Sequence, residues 1–303
     1  LPARQAGMVT ALLTGERASI TEEDWNALRD SGLAHLLAIS GSNVDMVALI
    51  VFFIARFVMA AFPGFAERHP IKKYAAVLAF AVTSFYVMLI LPSPPTTRAL
   101  LTVAIVLIAI LFDRSPISLR LVCVSAAMIL LIWPEQLLSP SFQLSFAAVT
   151  ALVAAFEVLA PWIKSIYQDS TVVRRLVIYI FTIGGTTVIA TLATAPISLY
   201  HFQNLALYGV IANLLAVPLM TFLIMPLSIL CYVLLPLGAA DSTLHVLGAL
   251  NEWILVIAHR TASLPGARFA PPAPPFPAFV GFFIAGLVFC FGGGRFRAGS
   301  ALP

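Results

Sequence analysis

Apolar residues in this chain come in long unbroken runs, without the short periodic pulses of a soluble core. Crossing a bilayer core takes roughly 20 helical residues. Runs that reach or approach that length lie at 42–62, 74–91, 98–112, 119–133, 142–160 and 176–195. Further runs lie at 205–218, 219–236, 245–262 and 278–291, where Pro218, Pro226 and Pro236 divide the pattern into half-length, re-entrant or kinked pieces. The pattern predicts an all-α polytopic membrane protein with about eight to ten membrane segments, broken or re-entrant helices among them.

Residues 1–34 are different, holding the densest cluster of charge. Ser19 and Glu22 have the spacing of a capping box, and Glu22, Glu23 and Asp24 suit a helix N-terminus. Trp25, Leu28 and Arg29 continue one amphipathic face until Gly32 ends it. The expectation is a short amphipathic interfacial helix with its Trp at headgroup level, followed by a polytopic domain over 35–303.

Composition strengthens the membrane reading. The 303 residues are 61% apolar and 10% charged, against about 25% charged in a soluble domain. Cys123, Cys231 and Cys290 are widely separated within apolar runs, which excludes a disulfide framework and a CxxC site. The net charge of +4 is too diffuse to mark a nucleic-acid patch, but its placement reports orientation. Arg68, Lys72 and Lys73 follow the first span, Arg114 and Arg120 flank the loop after the third, and Lys164, Arg174 and Arg175 follow the fifth. Glu135 and Asp241 dominate the alternate connections, so the rule places the chain's start outside the cytoplasm. Arg295 and Arg297 favour a cytoplasmic tail on the same rule, which leaves the orientation of the last three or four segments open. The first residues show no basic and apolar leader, and the chain reads as a piece of something longer.

A charge at mid-bilayer costs about 2.5–3.5 kcal/mol on insertion scales, so polar groups inside apolar runs direct attention. His35, Ser40, Gly41, Ser42, Asn43 and Asp45 surround a Ser-Gly-Ser interruption. This stretch is either a broken helix of the kind that builds substrate sites, or a cap with Asp45 in the first helical turn. Arg98 opens the third run after a Pro-rich break, and either snorkels to headgroups or points inward to an anion. Gln143 and Ser145 open the fifth. Thr187, Thr191 and Thr194 recur with Gly184 at helical spacing, a stripe that suits close helix packing or a pore lining. His201 and Asn213 complete the candidates. Glu157, His245, Asn251, Glu252 and His259 lie near span ends and say less.

No GxxxxGK[ST] phosphate loop, HExxH pattern or nucleophile-base set is present, so neither ATPase nor nuclease chemistry nor any cofactor is expected of these residues. Transport fits better than catalysis. A proton-coupled permease with Asp45 as carrier is the alternative transport reading. A packing scaffold, or a membrane hydrolase using Ser40 or Ser42 with His35, are readings from other classes.

The run His35-Leu-Leu-Ala-Ile-Ser-Gly-Ser-Asn-Val44, the Pro-Ser to Arg98-Ala99 segment, Phe142-Gln-Leu-Ser-Phe-Ala147, Ala193-Thr-Ala-Pro196 with Tyr200-His-Phe, and Asn213-Leu-Leu-Ala-Val-Pro218 occur in this order. Together they resemble the membrane competence domain of ComEC-type DNA-uptake proteins. The resemblance implies a channel in the bacterial inner membrane that admits single-stranded DNA during natural transformation. It also implies a periplasmic or surface receptor that delivers DNA and a cytoplasmic motor or helicase that pulls the strand. Asp45 stands where much of that family has a small residue.

Overall fold

The computed structural model describes the backbone of all residues except 17, 38–40, 91–93, 116, 169–171 and 299–303. Side chains at 37, 42, 94, 161–168, 172–174, 176, 177, 179, 180 and 293–298 are also outside the description. Helices dominate: α1 (Ala3–Thr14), α2 (Glu22–Asp30), α3 (Ala34–Leu37), α4 (Gly41–Ala60), α5 (Pro63–Ala66), α6 (Ile71–Leu89), α7 (Pro94–Leu111) and α8 (Leu119–Ile132) come first. Then follow α9 (Pro140–Gln168), α10 (Val172–Phe202), α11 (Gly209–Leu219), α12 (Met225–Leu234), α13 (Asp241–Ala262) and α14 (Phe276–Ala298). A two-stranded sheet pairs Leu205–Ala206 with Arg268–Phe269.

Among the described residues, five helical stretches are long and apolar enough to cross a membrane, and α7, α8 and α14 contain shorter apolar helices. Large side chains such as Leu131 (80% exposed), Phe181 (77%) and Phe289 (86%) stand outward, as lipid-facing residues do.

The sequence expectation of half-length pieces between 205 and 236 does not survive. Gly209–Leu237 is one helical stretch long enough to span. Pro218 lacks the N–H that would continue the i to i−4 ladder. The helix absorbs this with a π segment over Met220–Ile224, in which the Met225 N–H donates to the Met220 carbonyl five residues back. Pro226 follows directly after the π segment, as the second residue of α12, and its missing N–H falls beside this irregular turn.

The chain folds as two compact units, residues 1–116 with 206–267, and residues 117–205 with 268–303. In the first unit, α1, α2 and α3 pack with α11, α12 and α13 around Met8, Leu28, Leu33, Leu247 and Leu255, all buried. The front segment is thus part of a core. Its second helix starts two residues later than the pattern predicts. Thr21, not Ser19, is the cap, accepting from the Asp24 N–H. Gly32, at φ +77°, ends the segment in the left-handed conformation that favours glycine. Helix α1 was not foreseen from the sequence.

A second core in the same unit joins α4, α6 and α7 through Val44, Val47, Phe52, Ala76, Ala79, Val103 and Leu107. Tyr232 of α12 borders both cores, meets Tyr86 edge-on at 5.7 Å, and donates its hydroxyl to the Leu13 carbonyl.

In the second unit α9 and α10 form a long helical hairpin, with α8 against α9, and α14 against both. Glu157 of α9 accepts from the Leu119 N–H at 3.2 Å, so a carboxylate near the end of that span helps cap the start of α8.

Candidate functional site

Two contacts orient the three helices of the second core. A Cβ built on Gly41 would lie 3.1 Å from the Ala99 Cβ and 3.8 Å from the Pro95 carbonyl oxygen, so α4 and α7 touch at their N-terminal ends. Lys73 Nζ pairs with Asp113 Oδ2 at 2.7 Å, joining the start of α6 to the residues just past α7. Hence α4 and α7 run parallel and α6 runs against them. Arg56, Arg68, Lys72 and Lys73 cluster at one end of this trio in sequence position, and Gly41, Asn43, Asp45 and Arg98 lie at the other.

That second end is electrostatically distinctive. Two helix N-termini converge there with the positive ends of their dipoles, although α7 opens with Pro94 and Pro95, which have no N–H to offer. Arg98, in the first turns of α7, is 6% exposed, and Asp45 stands accessible within Coulombic range of it. Asn43 is 1% exposed and its Nδ2 has no hydrogen-bond partner. A buried donor left unpaired costs about 1–3 kcal/mol, so such an atom calls for water or a ligand.

His35, on α3, is exposed, and its Nδ1–H donates to the Gly32 carbonyl at 2.9 Å, leaving Nε2 as an acceptor. Asn213, on α11 of the same unit, is half-buried with an unpartnered Oδ1. Ser40 and the side chain of Ser42 lie outside the described residues.

The remaining predicted residues belong to the second unit. Gln143 is buried at the start of α9, where its Nε2 donates to the Leu137 carbonyl at 2.9 Å. Its Oε1 therefore faces His201, which donates from Nε2 at 2.8 Å. The imidazole stands perpendicular to Tyr200 and Phe279, which stack on each other at 4.3 Å. Gln143 and His201 thus clasp the α9 start to the α10 end. Ser145 is exposed. Thr187 and Thr194 donate to the carbonyls of Ile183 and Ala190 in their own helix, and Thr191 is half-buried on the same face. The structure therefore brings together Gly41, Asp45 and Arg98 in one unit, and Gln143 with His201 in the other.

Two groups escaped the sequence reading. Thr83 and Ser84 sit inside α6 with hydroxyls that are buried and unpartnered. Their only signal was a hydroxyl pair within an alanine-rich run. The other is an ion cluster on the front segment. Asp24, almost fully buried, accepts from Arg4 Nε at 2.9 Å, His259 Nε2 at 2.7 Å and Thr21 Oγ1 at 2.9 Å. Arg4 Nη1 also reaches Glu252 Oε1 at 3.1 Å. Arg4, with His259 and Thr21 behind it, holds the Asp24 carboxyl well below the usual carboxylate range. This cluster fastens α1 and α2 to α13. Its members are up to 255 residues apart, beyond any local pattern.

Residues 12–296 match a family model described as competence protein. The chain is 31% identical over 241 residues to "ComE operon protein 3" of Bacillus subtilis, covering 79% of this chain and 28% of that protein. It is 31% identical over 222 residues to "Recombination protein 2" of Haemophilus influenzae, covering 73% and 27%. It is 30% identical over 229 residues to "Competence protein ComA" of Neisseria gonorrhoeae, covering 74% and 30%. The chain thus spans less than a third of the length of these curated relatives. No solved structure matches it.

Proposed function

The chain belongs to the competence-protein family, and from that premise we propose that it forms a channel of the bacterial inner membrane passing single-stranded DNA into the cytoplasm during transformation. The observation that carries this reading is the end of α4, α6 and α7 where Arg98, two helix N-termini and Asn43 gather. A phosphodiester is a run of singly charged anions. A site offering one buried cation, helix dipoles and a neutral amide, partly offset by the Asp45 carboxylate nearby, attracts it weakly and does not hold it, as conduction requires.

Orientation follows from loop charge. Among the described residues, α4, α6, α9, α10 and Gly209–Leu237 are long and apolar enough to cross, and α7, α8 and α14 are shorter apolar helices. Counting the more polar α13, which packs along α11 and α12, as a further crossing gives nine. An odd number puts Arg295 and Arg297 on the side of Arg68, Lys72, Lys73, Arg114, Lys164 and Arg174, against Arg268 on the other. The conflict that ten crossings create disappears, and the Arg98 end faces away from the cytoplasm as the entry mouth.

Inward movement of DNA opposes a negative-inside potential at about 2.3 kcal/mol per charge per 100 mV. The channel is therefore passive, delivery falls to a periplasmic or surface receptor, and a cytoplasmic motor or helicase supplies the pull. The test is a transformation assay in the full-length protein that separates surface-bound from internalised DNA. Arg98→Ala and Asn43→Leu at normal protein level lower internalisation at least tenfold and leave surface binding intact. Unchanged internalisation in both overturns the proposal.

A further inference from the structure

The three-helix core of α4, α6 and α7 is unevenly built along its length. Toward the basic end the α6 face is Ala75, Ala76 and Ala79, all fully buried, packed against α4 and α7 side chains such as Phe52, Ala55, Leu107 and Ile110. One turn beyond Ala79 the same face presents Thr83, also fully buried, and then Tyr86. From Thr83 onward isolated polar groups enter an interior still lined by Val44, Val87 and Ile90. Thr83 Oγ1, Ser84 Oγ and Asn43 Nδ2 are all buried without a hydrogen-bond partner.

These three atoms belong to one end of one helical cluster. Asn43 is in the first turn of α4, and Thr83 and Ser84 are within the last two turns of α6, which runs antiparallel to it. A threonine or serine inside a helix ordinarily satisfies its hydroxyl on the carbonyl three or four residues back. Thr102, Thr187, Thr194, Ser228 and Thr261 of this chain all do so. Thr83 and Ser84 do not. Dry packing selects against three unsatisfied polar groups near one end of one helical trio, since an alanine or valine at each position would serve a sealed helix interface better.

We infer that the α4–α6 seam between Asn43 and Thr83 is a water-filled vestibule in the working protein, and that Asn43, Thr83 and Ser84 are the neutral groups the entering polynucleotide touches. This rests on the channel reading for the identity of the cargo, while the wetness of the seam stands on the orphaned atoms alone. An amide donor and two hydroxyls suit brief hydrogen bonds to phosphate oxygens and base edges. They carry no charge that would trap a polyanion. The alanine contacts below Thr83 close the vestibule toward the basic end in this conformation.

The test is aqueous accessibility in the full-length protein in its membrane, in a background whose cysteines, Cys123, Cys231 and Cys290 among them, are replaced by alanine. Thr83→Cys and Ser84→Cys react with a membrane-impermeant thiosulfonate, and a single-stranded oligonucleotide slows that reaction at least threefold. Phe85→Cys, at a position 62% exposed and lipid-facing, reacts only with a lipid-soluble maleimide. Reactivity that is high but unaffected by oligonucleotide counts against DNA as cargo and keeps the wet seam. Absence of aqueous reactivity at both 83 and 84 overturns the seam, whatever Arg98→Ala does to uptake. Thr83→Val provides a readout free of cysteine chemistry. A wet seam predicts severalfold lower DNA internalisation at unchanged protein level, and unchanged internalisation goes against it.

Discussion

Gly41 on α4 and Ala99 on α7 approach so closely that a Cβ added to the glycine would stand 3.1 Å from the alanine's. This contact sets the spacing of the two helix N-termini and hence the position of Arg98, one residue before Ala99. The neighbour must yield by a few tenths of an ångström to admit one methyl group, and considerably more to admit a branched side chain.

Gly41→Ala is therefore expected to be tolerated with a small loss of stability, and Gly41→Val to cost about 1–3 kcal/mol through overpacking. Melting temperatures of the detergent-solubilised protein measure this. Ala99→Gly placed on Gly41→Ala restores the wild-type value. No recovery in the double variant would show that the two helices do not meet there.

Asp24 makes stability depend on acid. Its folded carboxyl titrates well below the unfolded value of about 3.9 because Arg4, then His259 and Thr21, favour the charged form. Its contribution is thus complete above the unfolded value and is lost as pH falls through that value toward the folded one. Asp24→Asn should lose about 1.5–3 kcal/mol at pH 7, the range for hydrogen bonds to charged groups. The gap between wild type and variant narrows below about pH 4. A gap independent of pH in thermal melts would remove Asp24 as its source.

Gln143→Leu leaves the Leu137 carbonyl and the His201 Nε2–H without their partner. The expected loss is about 1–3 kcal/mol of stability. His201→Ala on top of Gln143→Leu costs less than the sum of the two single changes, because the second removes a group the first had already orphaned. Additive losses would mean that the two side chains do not act as a unit.

Membrane topology offers a fourth check. A fluorescent protein that matures only in the cytoplasm, fused after residue 298, should fluoresce, while the same protein inserted in the 203–208 connection should stay dark. Darkness at both positions would mean an even number of crossings after residue 208 and would split the Gly209–Leu237 helix in two, and the reverse pattern would invert the whole orientation.

The membrane character of the chain and the position of most spans were legible in the sequence, because a helix in lipid satisfies its own backbone and announces itself by the length of an apolar run alone. Helix ends with local caps were nearly as legible. The α2 start moved only from Ser19 to Thr21, since either hydroxyl can reach an N–H of the first turn. What the sequence could not decide were outcomes that depend on which helices meet. Proline at 218 signals a break in any local reading, yet packing along α13 keeps the helix continuous and resolves the missing N–H with a π turn. The partners of Asp24 lie 20 and 235 residues away, and those of Gln143 and His201 lie 58 apart, so only the folded chain brings them within hydrogen-bond reach. The orphaned hydroxyls of Thr83 and Ser84 likewise become notable only once tertiary packing has buried them. Local free energy selects helix and span, but the pairing of polar groups is a property of the packed interior.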